Sequence, residues 1–289
     1  MTVAYYPGCS LHSLALEYDR SSRLVCQRLG IRLQEVEDWN CCGASAAHSL
    51  DQELTMGLAS RNLAIVNRMG LEKLTTPCAG CFSRLKTTSL ELRKKKSSPE
   101  EMGKGDAYTE RIPEVTHLLQ YLYEWVGPGK IAEAVIKPLK GLKLAAYYGC
   151  LITRPRAVTG FDDPEQPVSM DQLLRALGAE TVNWSHKAEC CGGAFAASET
   201  SIVIDLGGQV LEAARQGEAE AIVVACPMCQ TNLDSRQQAI EQGNGILYDL
   251  PVIYFTQLMG LAFGYSISDM ALRRLLVSPL PLLMRKKLA

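Results

Sequence analysis

Short apolar runs alternate with amphipathic stretches, and the alternation occurs twice along the chain. VAYYP and LKLAAYYG each read as a buried strand that ends just before a cysteine, Cys9 or Cys150. A helical pattern follows each run, LALEYDRSSRLVCQRLG in the first half and SMDQLLRALG in the second, and both stop at Gly, a C-cap signal. Short strands come next, IRLQEV and ETVNW, and then second helices over about residues 51–69 and 201–216. EKLTTPC and AEAIVVACPMC read as buried strands running into C-x-x-C at the start of a further helix. This order predicts an α/β protein with parallel sheets and crossover helices, divided into halves of residues 1–140 and 141–289. Ligands gather at the carboxyl ends of the strands in such sheets, so the cysteines of each half are expected to converge at one end.

Between the halves, KKKSSPEEMGKGDAYTERIP is polar and broken by Gly and Pro, which predicts a surface excursion near 94–113. A helix from Val115 to Trp125 and the segment GPGKIAEAVIKPLKG then lead to the second half. The tail, ALRRLLVSPLPLLMRKKLA, is apolar and basic. It reads as a terminal helix packed on the body, with partner docking as the alternative; Pro279 and Pro281 break any long amphipathic face that could lie on a membrane.

Net charge is -1 over 289 residues, without the basic excess that a nucleic acid partner calls for. No basic and apolar leader opens the chain, and no run approaches the roughly 18 apolar residues of a transmembrane segment, so a cytoplasmic location is expected. In that reducing compartment, 11 cysteines point to metal or redox chemistry and away from disulfides.

Ten of the cysteines form two matching sets. Cys9, Cys41, Cys42, Cys78 and Cys81 follow C-x31-CC-x35-C-x2-C, and Cys150, Cys190, Cys191, Cys226 and Cys229 follow C-x39-CC-x34-C-x2-C. An offset of roughly 145 residues indicates a duplicated domain, since solenoid periods are far shorter. Cys26 is left over, on the apolar face of a helix, and is expected to be an inert buried thiol. Zinc prefers four tetrahedral ligands and two C-x-x-C pairs, whereas each half carries five thiols and one C-x-x-C. Iron-sulfur clusters use several thiolates, and adjacent cysteines can serve different irons. Zinc and an isolated redox dithiol remain the alternatives. The CCG turn offers backbone N–H groups, and a C-x-x-C at a helix start favours thiolates.

The duplicated pattern resembles the twin CCG-domain signature of the heterodisulfide reductase B subunits, from AYYPGCS through PVIYFTQLMGLAFG. The resemblance implies two Rossmann-like CCG domains, each with a small parallel sheet flanked by helices. It implies two non-cubane [4Fe-4S] clusters, one held by Cys9, Cys41, Cys42, Cys78 and Cys81, the other by Cys150, Cys190, Cys191, Cys226 and Cys229. The implied activity is that of a catalytic oxidoreductase component reducing a disulfide, of coenzyme M-coenzyme B type or related, to two thiols. Electrons would come from an iron-sulfur subunit resembling heterodisulfide reductase C and a flavin subunit resembling heterodisulfide reductase A. The alternative is a CCG protein that handles sulfane sulfur or passes electrons to quinone-linked partners. AYYGC lacks the proline of AYYPGC, so the loop before Cys150 is expected to be one residue shorter. His12 and His48 lie near the first set as candidate proton donors, with a supporting hydrogen bond as their plainer role; His186 reads the same way and His117 as structural.

Overall fold

The computed structural model describes residues 1–44, 47–96, 111–196 and 198–288; most of the polar excursion lies outside them. Two four-stranded sheets carry the fold. The first is built from β1 (Thr2–Tyr5), β2 (Arg32–Glu35), β3 (Lys73–Thr76) and β4 (Glu114–His117) in the order β2-β1-β3-β4. The second uses β5 (Lys143–Tyr147), β6 (Glu180–Thr181), β7 (Ala221–Val224) and β8 (Val252–Tyr254) in the order β6-β5-β7-β8. Every pairing is parallel, so all the strands of a sheet end at the same edge. β7, with the sequence AIVV, is buried throughout, as a strand covered on both faces must be.

Helices Leu16–Arg28, Gln52–Arg68 and Ala79–Lys96 cross over the first sheet, and Ser169–Ala176, Thr200–Gln216 and Pro227–Ser235 over the second. Asp51 caps Gln52–Arg68 by accepting a hydrogen bond from the Leu54 N–H.

The fourth strand of each sheet departs from the sequence pattern. Val115, Leu118, Leu119 and Leu122 recur at helical spacing, which predicts a helix from Val115. Instead, Glu114–His117 pairs in register with β3, from Lys73↔Glu114 to Thr76↔His117, and the helix begins at Leu118. A free sheet edge outweighs local periodicity in a segment this short. β8 is only three residues long, too short for any period to mark it.

The loops before Cys9 and Cys150 have equal lengths, which corrects the expected shortening. Tyr5 pairs with Thr75 and Ala146 with Val223, each three residues before the first cysteine of its C-x-x-C. Tyr6-x-Gly8-Cys9 therefore matches Tyr147-x-Gly149-Cys150, with Tyr148 standing where Pro7 stands.

One apolar core runs through both halves, including Tyr18, Leu118, Leu144, Tyr147, Val223 and Tyr254. Helix Leu16–Arg28 of the first half packs on Phe255–Ala262 of the second. The Tyr18 ring stacks on Tyr254 with centroids 4.0 Å apart, and the Ser21 and Thr256 hydroxyls are 2.7 Å apart. Buried Glu17 accepts from Arg274 Nε at 2.9 Å. In the tail, the helix Leu280–Arg285 buries Leu282 and Leu283, and Lys286 pairs with Glu220 at 2.8 Å.

Candidate metal centre

The thiols of each half collect at the carboxyl edge of its sheet. In the first half β1 leads into the helical turn Gly8–Leu11 that carries Cys9, and β2 into the loop with Cys41 and Cys42. β3 leads through Pro77 to Cys78, with Cys81 in the first turn of Ala79–Lys96. The second half repeats this, with Cys150 after β5, Cys190 and Cys191 after β6, and Cys226 at the N-cap of the helix that carries Cys229. Cys42 Sγ and Cys81 Sγ are 3.2 Å apart; Cys191 Sγ and Cys229 Sγ are 3.6 Å apart. Cys42, Cys78, Cys81, Cys191, Cys226 and Cys229 are buried, Cys150 and Cys190 half-buried, and Cys9 and Cys41 exposed.

Crowding divides these thiols into proton donors and thiolates. Hydrogen bonds from Cys41 and then Cys81 bring Cys42 down to about 3, and the same contact raises Cys41. Cys190 falls to about 6 because Cys150 and the Gly192 and Gly193 N–H groups donate to it. Cys226 is lowered by donation from Cys229 and Cys78. Thiolates, not thiols, ligate metals, so Cys42, Cys190 and Cys226 are the thiols that their surroundings bring closest to the ligating form.

The backbone leaves room for sulfur. Gly8 has φ +71°, and a Cβ there would meet Cys81 Sγ at 2.9 Å; Gly149 has φ +67°, and a Cβ would meet Cys229 Sγ at 3.0 Å. Only glycine suits both demands. The CCG turns supply N–H groups as expected, but to cysteine sulfur: Gly43 N–H to Cys41 at 3.5 Å and Gly192 N–H to Cys190 at 3.3 Å.

Both halves also contain positioning side chains that no cysteine motif marks. The Tyr6 hydroxyl donates to Asn40 O and the Tyr147 hydroxyl to Glu189 O, each at 2.7 Å, which ties the first loop of each half to the residue before its paired cysteines. Asn62 exchanges two bonds with the Asn40 backbone, and Asn232 donates to Cys191 O at 3.1 Å. The recurring Tyr-x-Gly-Cys is the sequence signal for the tyrosines.

The donor set fits iron-sulfur ligation. Ten thiols lie in two sets of five, free of disulfides, and each set offers one more thiolate than the four ligands of a tetrahedral zinc site. The buried Tyr254 hydroxyl, on the strand after Cys226 and Cys229, has no hydrogen-bond partner.

Each histidine with a described side chain has a hydrogen-bond or ion-pair partner other than sulfur. His12 Nε2 contacts Glu35 Oε1 at 3.1 Å and its ring meets Trp39 edge-on; half-buried His186 bonds Ser185 Oγ at 2.8 Å. The His48 side chain lies outside the described residues. His117 is fully buried, and burial lowers it to about 4.

Cys26 is fully buried in the core, and burial raises its thiol to about 12. Native protein is accordingly expected to leave Cys26 unalkylated by iodoacetamide. Cys26→Ala should retain all bound iron while losing about 1 kcal/mol of stability for the deleted sulfur. Alkylation of Cys26 in folded protein, mapped by peptide mass spectrometry, would refute this.

A profile of the CCG cysteine-rich domain matches residues 3–86 and again 144–234. The chain is 34% identical over 271 residues to the 8-methylmenaquinol:fumarate reductase membrane anchor subunit of Wolinella succinogenes, covering 93% of this chain and 94% of that one. It is 31% identical over 274 residues to the B subunit of the ferredoxin:CoB-CoM heterodisulfide reductase of Methanosarcina mazei, covering 91% and 90%. In fold it resembles the crystal structure of a hypothetical protein from Helicobacter pylori, with a TM-score of 0.73 and 11% identity, over 96% of this chain and 52% of that one. Among the described residues no helix is long and apolar enough to cross a membrane.

Proposed function

The chain belongs to the heterodisulfide reductase B family of twin CCG-domain proteins, and on that premise we propose that each five-thiol nest holds one non-cubane [4Fe-4S] cluster and that the pair serves disulfide reduction. Family membership makes it an iron-sulfur component of an oxidoreductase complex. Cys9, Cys41, Cys42, Cys78 and Cys81 are the ligands assigned to one cluster, and Cys150, Cys190, Cys191, Cys226 and Cys229 to the other. The observation that supports the reading is the meeting of the two halves at their cysteine-bearing ends: the turn Gly8–Leu11, which carries Cys9, packs on Pro227–Ser235, which carries Cys229, and the Tyr18 hydroxyl donates to Ala225 O, next to Cys226, at 3.1 Å.

A cluster of this type supplies one-electron redox chemistry when bound. The chain's share is to hold two such groups side by side and bring its substrate to both. Cleaving one S–S bond takes two electrons and two protons and yields two thiols. The electrons come from partner proteins, an iron-sulfur partner of the heterodisulfide reductase C type and a flavin partner of the heterodisulfide reductase A type. His12, held by Glu35 at the more exposed first nest, is the candidate proton donor, with His48 as the other. The protein is assigned to the cytoplasm, where thiols stay reduced.

Electron transfer to a quinone-linked partner is the second reading, favoured by the 34% identity to the fumarate reductase protein. The decisive measurement uses anaerobically purified protein. Iron and acid-labile sulfide near eight per chain are expected for two [4Fe-4S] clusters. Adding coenzyme M thiol to oxidised protein should then produce a new paramagnetic signal. Eight irons with no thiol-induced signal would retire the disulfide reading and leave electron transfer, and zinc in place of iron would retire both.

A further inference from the structure

Cys78 and Cys226 each leave a central strand through one intervening residue, Pro77 or Ala225. A buried side chain of the first half holds the carbonyl of each intervening residue. The Tyr18 hydroxyl donates to Ala225 O at 3.1 Å across 207 residues of sequence. His117 Nδ1 accepts from the Leu119 N–H at 3.1 Å, which places the ring proton on Nε2, and Nε2 donates to Pro77 O at 3.1 Å. The Ala225 carbonyl lies near enough to act electrostatically on the same imidazole. His117 thus holds the carbonyl before Cys78, and Tyr18 the carbonyl before Cys226. The two halves pack together here: Ala79–Lys96, the first half's C-x-x-C helix, lies on Arg156–Thr159, and Gly8–Leu11 on Pro227–Ser235.

Duplication does not account for this arrangement. Thr76 pairs with His117 and Val224 with Tyr254, so tyrosine occupies the equivalent position in the second half, and its hydroxyl has no hydrogen-bond partner. Capping the helix at Leu118 requires only an acceptor for the Leu119 N–H. The Nε2 bond to Pro77 is additional, and it ties β4 to the strand end that delivers Cys78.

We propose that His117 is a positioning residue which, together with Tyr18, clamps the cysteine-bearing ends of β3 and β7 against each other and so sets the spacing, and with it the coupling, between the two cluster sites. The proposal rests on the two-cluster reading above. Dipolar and exchange interactions between paramagnetic groups fall steeply with separation, so loosening either carbonyl weakens the interaction without removing a ligand.

The test compares full-length His117→Leu, His117→Gln and Tyr18→Phe with the natural chain. Iron is counted, and spin-spin interaction between the two reduced clusters is read by paramagnetic resonance. In chelator-treated protein, mild oxidation and peptide mass spectrometry give the yield of the cross-half Cys78–Cys226 disulfide relative to the within-half Cys42–Cys81 disulfide. His117→Leu and Tyr18→Phe should keep the wild-type iron content, lose the spin-spin interaction and lower the disulfide ratio. His117→Gln, which retains a donor for Pro77 O, should restore both. Unchanged interaction and ratio in His117→Leu and Tyr18→Phe overturn the clamp. So does a natural chain with both clusters and no interaction, which leaves the two-cluster reading standing. If no chain binds iron, the two-cluster reading fails and the disulfide ratio alone decides the clamp. If His117→Leu does not fold, Tyr18→Phe, which lacks a single hydroxyl, decides in its place.

Discussion

Cys42→Ala is expected to remove about four of about eight irons, and Cys191→Ala to remove the other four, with the double variant binding none. Cys42 is central to its nest: it contacts Cys81 at 3.2 Å and is driven strongly to the thiolate, at about 3. Cys191 holds the matching place beside Cys229 at 3.6 Å. Because each five-thiol set collects at its own sheet edge, losing a ligand from one leaves the other intact. Metal analysis with paramagnetic resonance on each variant checks this. Loss of all iron from either single variant would show one shared group, and full iron in either would remove that cysteine from the ligand set.

Gly8→Ala should empty the N-terminal site even though no ligand is altered. The added methyl would lie 2.9 Å from Cys81 Sγ, and the backbone there, at φ +71°, costs an L residue about 1–2 kcal/mol in addition. Gly149→Ala should act likewise on the C-terminal site, through Cys229 at 3.0 Å. Gly30 supplies the control: it has φ +73° with nothing within 4 Å of an added methyl, so Gly30→Ala carries the backbone cost alone and keeps its iron. Iron content and thermal midpoint, measured together for the three variants, separate sulfur displacement from ordinary strain. Equal iron in Gly8→Ala and Gly30→Ala would mean that the Gly8 contact does not shape the site.

Much of each half is legible in the sequence because its cysteine-bearing strands stand out. VAYYP, LKLAAYYG and AEAIVVAC are apolar runs that end at a cysteine, and they form β1, β5 and β7. β4 is hidden, because Val115 and the leucines after it keep helical spacing across a strand-to-helix boundary at Leu118. β8 is hidden by its brevity. The expected shortening before Cys150 fails because matching tyrosine to tyrosine pairs Tyr5 with Tyr147, whereas sheet register pairs Tyr5 with Ala146. The recurring Tyr-x-Gly-Cys marks Tyr6 and Tyr147, but the roles of Asn62 and Asn232 escape the sequence because their partners are backbone carbonyls or amides in distant loops, which no motif records.

What the sequence determined by itself is the donor chemistry: which thiols group together, how many each half contributes, and that Cys26 stands outside both groups. Those properties follow from residue type and short-range spacing, which travel with the chain. Only the tertiary structure decided that the two halves meet at their cysteine-bearing ends, where Gly8–Leu11 packs on Pro227–Ser235 and where His117 and Tyr18 hold the carbonyls of Pro77 and Ala225. That meeting depends on helix Leu16–Arg28 packing against Phe255–Ala262, a burial of side chains more than 200 positions apart whose driving force is non-directional and leaves no period in the sequence.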